Sequence, residues 1–121
     1  METEFASLEK ALNLPELLSR VEGDRELLAD LLDMFQTELP GHREALRRAI
    51  GAGDQAETAR AAHALKGMLA NLSMEKGASL AAAVEIAAKN ADIQTIEKTF
   101  AGLELETESL SAAVQEFLAG K

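Results

Sequence analysis

Cysteine is absent from the 121 residues, which excludes disulfides, thiolate metal sites, iron-sulfur clusters and cysteine nucleophiles. Proline occurs only at Pro15 and Pro40, and the eight glycines are scattered, so no low-complexity linker divides the chain. Residues 1–121 therefore read as a single domain. Aromatics amount to 3%, four Phe with no Trp or Tyr, and this removes the stacking platforms that single-stranded nucleic acid needs. Basic residues are few as well: 12 Lys plus Arg against 21 Asp plus Glu give a net charge of −9. With no local basic stripe, a phosphate backbone is repelled and no nucleic-acid partner is expected. No run of about 18 apolar residues exists, and the acidic start from Met1 to Phe5 has no apolar core segment. Neither a signal peptide nor a membrane span is expected, and a cytoplasmic location follows as the default.

Hydrophobic residues make up 47% of the chain, enough for a packed core, and they are mostly Ala and Leu with little Val or Ile. That balance favours helices. Leu14, Leu17, Leu18 and Val21 recur at helical spacing behind Asn13 as a cap and Pro15 in the first turn, which predicts a short lead-in helix closed by Gly23. Asp24 can cap a long second helix whose stripe of Leu27, Leu28, Leu31, Leu32, Phe35 and Leu39 resumes at Leu46, Ala49 and Ile50. A kink or split is expected near Pro40. Gly51 to Gly53 stop this helix, and Asp54 with Glu57 has the capping-box spacing that starts a third, reaching Leu72. Ser73 is the expected cap of a fourth helix through Leu80, Ala83, Val84 and Ala87, ending near Asn90. Asp92 caps the last, with an apolar seam of Ile93, Ile96, Phe100, Leu103, Leu110, Val114 and Phe117, in which Thr107 is out of character. Short connections force antiparallel neighbours, so the expected fold is all-α: an antiparallel up-and-down four-helix bundle with a short extra N-terminal helix. The seam of the last helix is needed by the bundle core, so a monomer is expected rather than a coiled-coil dimer.

A fold of this kind hosts many functions, and the site has to come from residues. On the helix from Asp54 to Leu72, the inward stripe is Thr58, Ala61, Ala62, Leu65, Leu69 and Leu72. At about 100° per residue His63 falls on the opposite side, with Ala56, Ala59, Gly67 and Ala70 as outward companions and Arg60 and Lys66 as flanking cations. A solvated helix face is normally filled with Glu, Lys and Gln, whereas this imidazole stands on a carpet of small residues. Gly67 costs about 0.5 to 1 kcal/mol relative to Ala inside a helix, and close approach by another molecule is the evident reason to keep it. Neutral imidazole is a good nucleophile near neutral pH, and a phosphoryl group on it would carry a charge of roughly −2 within reach of Lys66 one turn away. No acid or base partner for His63 is evident from the local pattern.

The run His63, Ala64, Leu65, Lys66, Gly67, followed by Asn71 and Leu72 and then Leu80 and Glu85, resembles the signature of histidine-containing phosphotransfer (HPt) domains, the carriers of bacterial phosphorelays. Leu17 and Leu18 before Gly23, the stretch from Phe35 to Pro40, and Gly53 with Asp54 agree with it, so the resemblance spans roughly Leu14 to Phe117. It implies that His63 accepts a phosphoryl group from a receiver-domain aspartyl phosphate, through Nε2, and passes it to another receiver aspartate. Lys66 matches the lysine that holds the phosphoryl oxygens, and Gly67 the glycine that leaves room for the receiver. The implied partners are receiver domains of response regulators or hybrid sensor kinases. The chain would be a carrier and not an ATP-dependent kinase, with no cofactor of its own and the Mg²⁺ supplied by the receiver. Two positions depart from the pattern: Met68 follows the Lys-Gly pair and is expected to be buried, and Ser73 with Met74 stand where the family commonly has Gly-Ala, which puts Met74 at the rim of the docking surface.

The remaining features have plainer readings. His42 follows Pro40 and Gly41 with no lysine or glycine at helical spacing and reads as a surface or cap residue. Glu104, Glu106 and Glu108 read as solvated. With two histidines and no cysteine, no metal site is expected. The alternative to a carrier is a helical adaptor that binds a receiver or partner helices without accepting phosphate.

Overall fold

The structure, a computed structural model, describes residues 5–120, so the acidic opening from Met1 to Glu4 lies outside the described residues. Among the described residues six helices follow one another: α1 (Ala6–Ala11), α2 (Leu14–Arg20), α3 (Arg25–Ala52), α4 (Gln55–Asn71), α5 (Glu75–Lys89) and α6 (Ile93–Ala119). The last four form the bundle: α3 and α5 each pack against both α4 and α6, closing a ring of antiparallel neighbours. The expected all-α four-helix architecture is what the chain adopts. The N-terminal addition is two short helices rather than one. Helix α1 lies on α6, where the Ser7 hydroxyl donates to the Ala113 carbonyl at 2.9 Å and the rings of Phe5 and Phe117 stack with centroids 5.8 Å apart.

Local chemistry sets the helix starts. Asn13, Asp24, Asp54 and Asp92 each accept, through the side chain, from the backbone N–H three residues on, satisfying a donor that the first turn leaves open. Pro15 sits in the first turn of α2, where its missing N–H costs nothing. The α4–α5 turn departs from expectation. Met74 occupies the cap position of α5 without a side-chain cap bond, while Ser73 takes a left-handed backbone (φ 59°) and is buried with its hydroxyl unpartnered. The Ser73 carbonyl instead accepts from the Asn13 N–H at 3.0 Å, which ties α2 to this turn. From the other end of α2, Arg20 donates to the Asn71 carbonyl at 3.1 Å, satisfying one of the open carbonyls at the C-terminus of α4.

Pro40 does not split the second long helix. α3 runs unbroken for 28 residues with Pro40 exposed in its interior. Leu32, Phe35 and Leu39 before it and Leu46 after it face the same core, and this packing keeps the helix continuous through the lost backbone bond. The core stripe of α4 is placed as the periodicity predicts, with Thr58, Ala62, Leu65, Leu69 and Leu72 buried and Ala61 partly so. On α6, Ile93 is exposed because it is the first residue of the helix, beyond the core's end, whereas Thr107 is fully buried and donates to the Leu103 carbonyl at 2.9 Å. Glu104 and Glu106 are not free in solvent: Arg43 and Arg47 reach Glu104, and Lys76 reaches Glu106, whose side chain is mostly covered. Gly77 marks where α5 comes closest to its neighbours, since a Cβ there would lie 3.1 Å from a Leu69 methyl.

Candidate functional site

Helix α4 presents the face that the sequence reading singled out. The His63 side chain is 66% exposed, and around it Ala56, Gly67 and Ala70 are exposed and Ala59 partly buried. Ala59 packs against a small cluster of Ala87, Ala88 and Ile96, which fixes the N-terminal half of α4 on α5. Arg60 is exposed and paired with Glu57 on its own helix at 3.3 Å. A Cβ on Gly67 would meet nothing within 4 Å, so no contact among the described residues requires glycine there. The space above Gly67 is open for an outside molecule.

Met74 is the residue the structure removes from this surface. It is fully buried in the core, because the left-handed Ser73 turns the chain inward immediately before it. Met68 is only half-buried, at the edge of a shallow cavity of about 170 Å³ between Leu31, Met34, Phe35 and Glu38 of α3 and Met68, Asn71 and Leu72 at the end of α4. Leu27 and Met34 are exposed on α3 along that same edge, with Leu31 half-buried between them, so an apolar strip borders the C-terminal half of the α4 face. His42 sits in the middle of α3 at the surface and takes no part in the α4 site.

One side chain at this site had no role assigned from the sequence, where it entered only through the family resemblance: Glu85 of α5. It occupies a stripe position between Val84 and Ala88, which are both buried, and its own side chain is 10% exposed. Its Oε2 lies 3.1 Å from Nδ1 of His63, its Oε1 lies 3.4 Å from Nζ of Lys66, and Nζ of Lys89 lies 3.2 Å from Oε2. A carboxylate inside an otherwise apolar stripe and its place in the family resemblance were the available signals, but its partner could be named only once α4 and α5 were in register. Burial by itself pushes the Glu85 carboxyl up. Hydrogen bonds from Lys89, His63 and Lys66, with the charge of Lys66, outweigh it and hold the group below the ordinary carboxylate range.

That balance decides the ring's tautomer. An ionised carboxylate only accepts hydrogen bonds, so the bond to Glu85 requires Nδ1 to carry the proton. In the neutral imidazole, Nε2 then keeps its lone pair on the exposed part of the ring. Lys66, one turn from His63 and 36% exposed, holds its ammonium between the buried carboxylate and solvent, where an incoming anion can draw it away. The arrangement is therefore a nucleophilic nitrogen, an orienting carboxylate and a movable cation on an open, small-residue face. The absence of a base beside His63, expected from the local pattern, is thus corrected by a contact across two helices.

Comparisons with known proteins give the family and the fold. The family model for the Hpt domain matches residues 30–116. The chain belongs to the Hpt domain family, whose members carry phosphoryl groups in two-component signalling and are not kinases. The fold is similar to that of the HPT domain from the Hpt sensor hybrid histidine kinase from Shewanella, solved to 1.80 Å, with a TM-score of 0.79 and 24% sequence identity, over 92% of this chain and 96% of that one. No curated protein matches the chain. Among the described residues, no helix is long and apolar enough to cross a membrane.

Proposed function

We propose that the chain works as one domain, a phosphoryl carrier in which His63 takes a phosphoryl group from a receiver aspartate and hands it to another. The observation that carries this reading is the ring itself: exposed on one side and anchored through Nδ1 to Glu85 on the other. In the forward step the Nε2 lone pair attacks phosphorus, the bond from phosphorus to the aspartyl oxygen breaks, and the carboxylate leaves with that electron pair. The proton on Nδ1 stays in its bond to Glu85, whose charge offsets the positive charge that the ring acquires. The onward step reverses these changes with a second receiver carboxylate. The receiver brings the Mg²⁺; this chain brings the nucleophile and the Lys66 ammonium.

Docking falls to the exposed face: Ala56, Ala59, Arg60, Gly67 and Ala70, bordered by the apolar strip of Leu27, Leu31 and Met34. A flat surface of small side chains lets a receiver bring its aspartyl phosphate down onto Nε2. The carrier acts as a monomer and in the cytoplasm. Incubation with a phosphorylated receiver tests the reading: acid-labile, base-stable label is expected on this chain and none on His63→Gln with its fold intact. Binding of the receiver with no label on the wild-type chain would support the adaptor alternative instead.

A further inference from the structure

The carrier chemistry leaves Lys89 without a part. It lies on α5 four residues beyond Glu85, so the two side chains rise from one face of the helix. The Glu85 oxygens are divided unevenly. Lys66 takes Oε1 alone, whereas Oε2 is shared by Nδ1 of His63 at 3.1 Å and Nζ of Lys89 at 3.2 Å. An ion pair between two exposed side chains would do little, but Glu85 is 10% exposed, and its charge acts through a partly desolvated setting.

We propose that Lys89 is a positioning residue that sets the basicity of His63: by sharing Oε2 it draws the carboxylate's charge away from the imidazole and keeps the ring neutral at lower pH than Glu85 alone allows. The inference rests on the carrier reading, in which the neutral ring is the reactive form. Protonation of Nε2 creates an imidazolium that Glu85 favours and nearby cations oppose. The charged groups around the ring are Arg60 and Lys66, each one turn away on α4, and Glu85 and Lys89 from α5. Arg60 is held by Glu57, and among the described residues no charged group of α3, the other helix packed on α4, contacts the ring. Two nitrogens on one oxygen lie no more than about 6 Å apart, and at an effective dielectric of roughly 40 to 80, suited to a mostly exposed Lys89 ammonium, one unit charge at that range moves an imidazole by about half to one pKa unit. Lys89 has a second consequence. When Lys66 turns to a phosphoryl group, Lys89 remains as the counter-ion of Glu85, so the carboxylate need not take up a proton.

The test is an NMR titration of the imidazole nitrogens in the unphosphorylated full chain, with His42 as internal reference. Lys89→Met is expected to raise the His63 midpoint by about half to one unit, and Lys89→Arg to return it to the wild-type value. In a Glu85→Gln background the effect of Lys89→Met is expected to fall below half, because no carboxylate then holds the Lys89 ammonium beside the ring. An unchanged or lowered midpoint in Lys89→Met overturns the inference, as does an undiminished shift in the Glu85→Gln background. Labelling by a phosphorylated receiver, measured below the midpoint, is expected to slow about three- to tenfold in Lys89→Met. The titration needs no phosphorylation, so a chain that shifts as expected but never takes label would refute the carrier reading and leave the role of Lys89 on basicity standing.

Discussion

Gly67 separates what stabilises this domain from what lets it work. It sits inside α4, four residues from His63, on an exposed face where an added Cβ would meet nothing within 4 Å. Gly67→Ala removes the conformational penalty of glycine in a helix and meets no steric cost, so a gain of about 0.5 to 1 kcal/mol is expected. For a chain of this size that raises the melting temperature by roughly 2 to 6 °C in a circular-dichroism melt. Gly67→Gln should keep a few tenths of a kcal/mol of the same gain. Its side chain, however, stands where a receiver must approach, and overpacking such a contact costs about 1 to 3 kcal/mol, or roughly 5- to 160-fold in the second-order rate of transfer. Both variants are read by denaturation and by label transfer from a phosphorylated receiver at rising receiver concentration. A Gly67→Ala protein less stable than wild type would refute the claim of open space. A Gly67→Gln protein that transfers within twofold of wild type would refute the claim that this space is kept for a partner.

Three further outcomes follow from the same geometry. Lys66→Ala removes one unit charge from beside the phosphoryl site and is expected to slow transfer by about one to two decades, with little loss of stability because its ion pair with Glu85 is partly exposed and Lys89 remains; single-turnover labelling measures the first and urea denaturation the second. Glu85 and Asp92 both titrate below their ordinary values of 4.5 and 3.8, Glu85 because hydrogen bonds from Lys89, His63 and Lys66 outweigh burial, and Asp92 because the Thr95 hydroxyl and backbone N–H bind it. Their contribution to stability is present above the unfolded-state values and disappears as pH falls through the folded-state ones, so the urea midpoint should drop below about pH 4.5, less steeply in Glu85→Gln than in wild type. Ala91 holds a left-handed backbone (φ 56°) in the α5–α6 turn, and Ala91→Gly is expected to stabilise the fold by about 0.5 to 1 kcal/mol, since relief of strain exceeds the entropy that glycine adds to the unfolded chain; a lower urea midpoint would contradict this.

What the amino-acid pattern made legible was what depends on near neighbours. Asp24, Asp54 and Asp92 announce helix starts because a cap needs only a backbone N–H three residues away. The outward placement of His63, Lys66 and Gly67 follows from helical periodicity on α4 alone. Where the outcome turned on packing between elements, local rules failed. Pro40 breaks helices in isolation, but here Leu39 and Leu46 on either side of it are buried in one core. Met74 looked like a rim residue until Ser73 took a left-handed turn that its residue type does not advertise. Glu85 became a partner of His63 only through the register of α5 on α4, a relation 22 residues apart in sequence. Its membership of the apolar stripe with Val84 and Ala88, and its place in the family resemblance, were the visible signs, and neither named its partner.

The central claim is that a phosphoryl group resides on one particular nitrogen of one histidine. Phosphorus-nitrogen couplings in the NMR spectrum of the nitrogen-15-labelled chain, after incubation with a phosphorylated receiver, test it directly. A single phosphorylated ring, that of His63, modified at Nε2 with its proton on Nδ1, is the result predicted. Phosphorus on Nδ1 of His63, on His42, or on no imidazole at all would contradict the account.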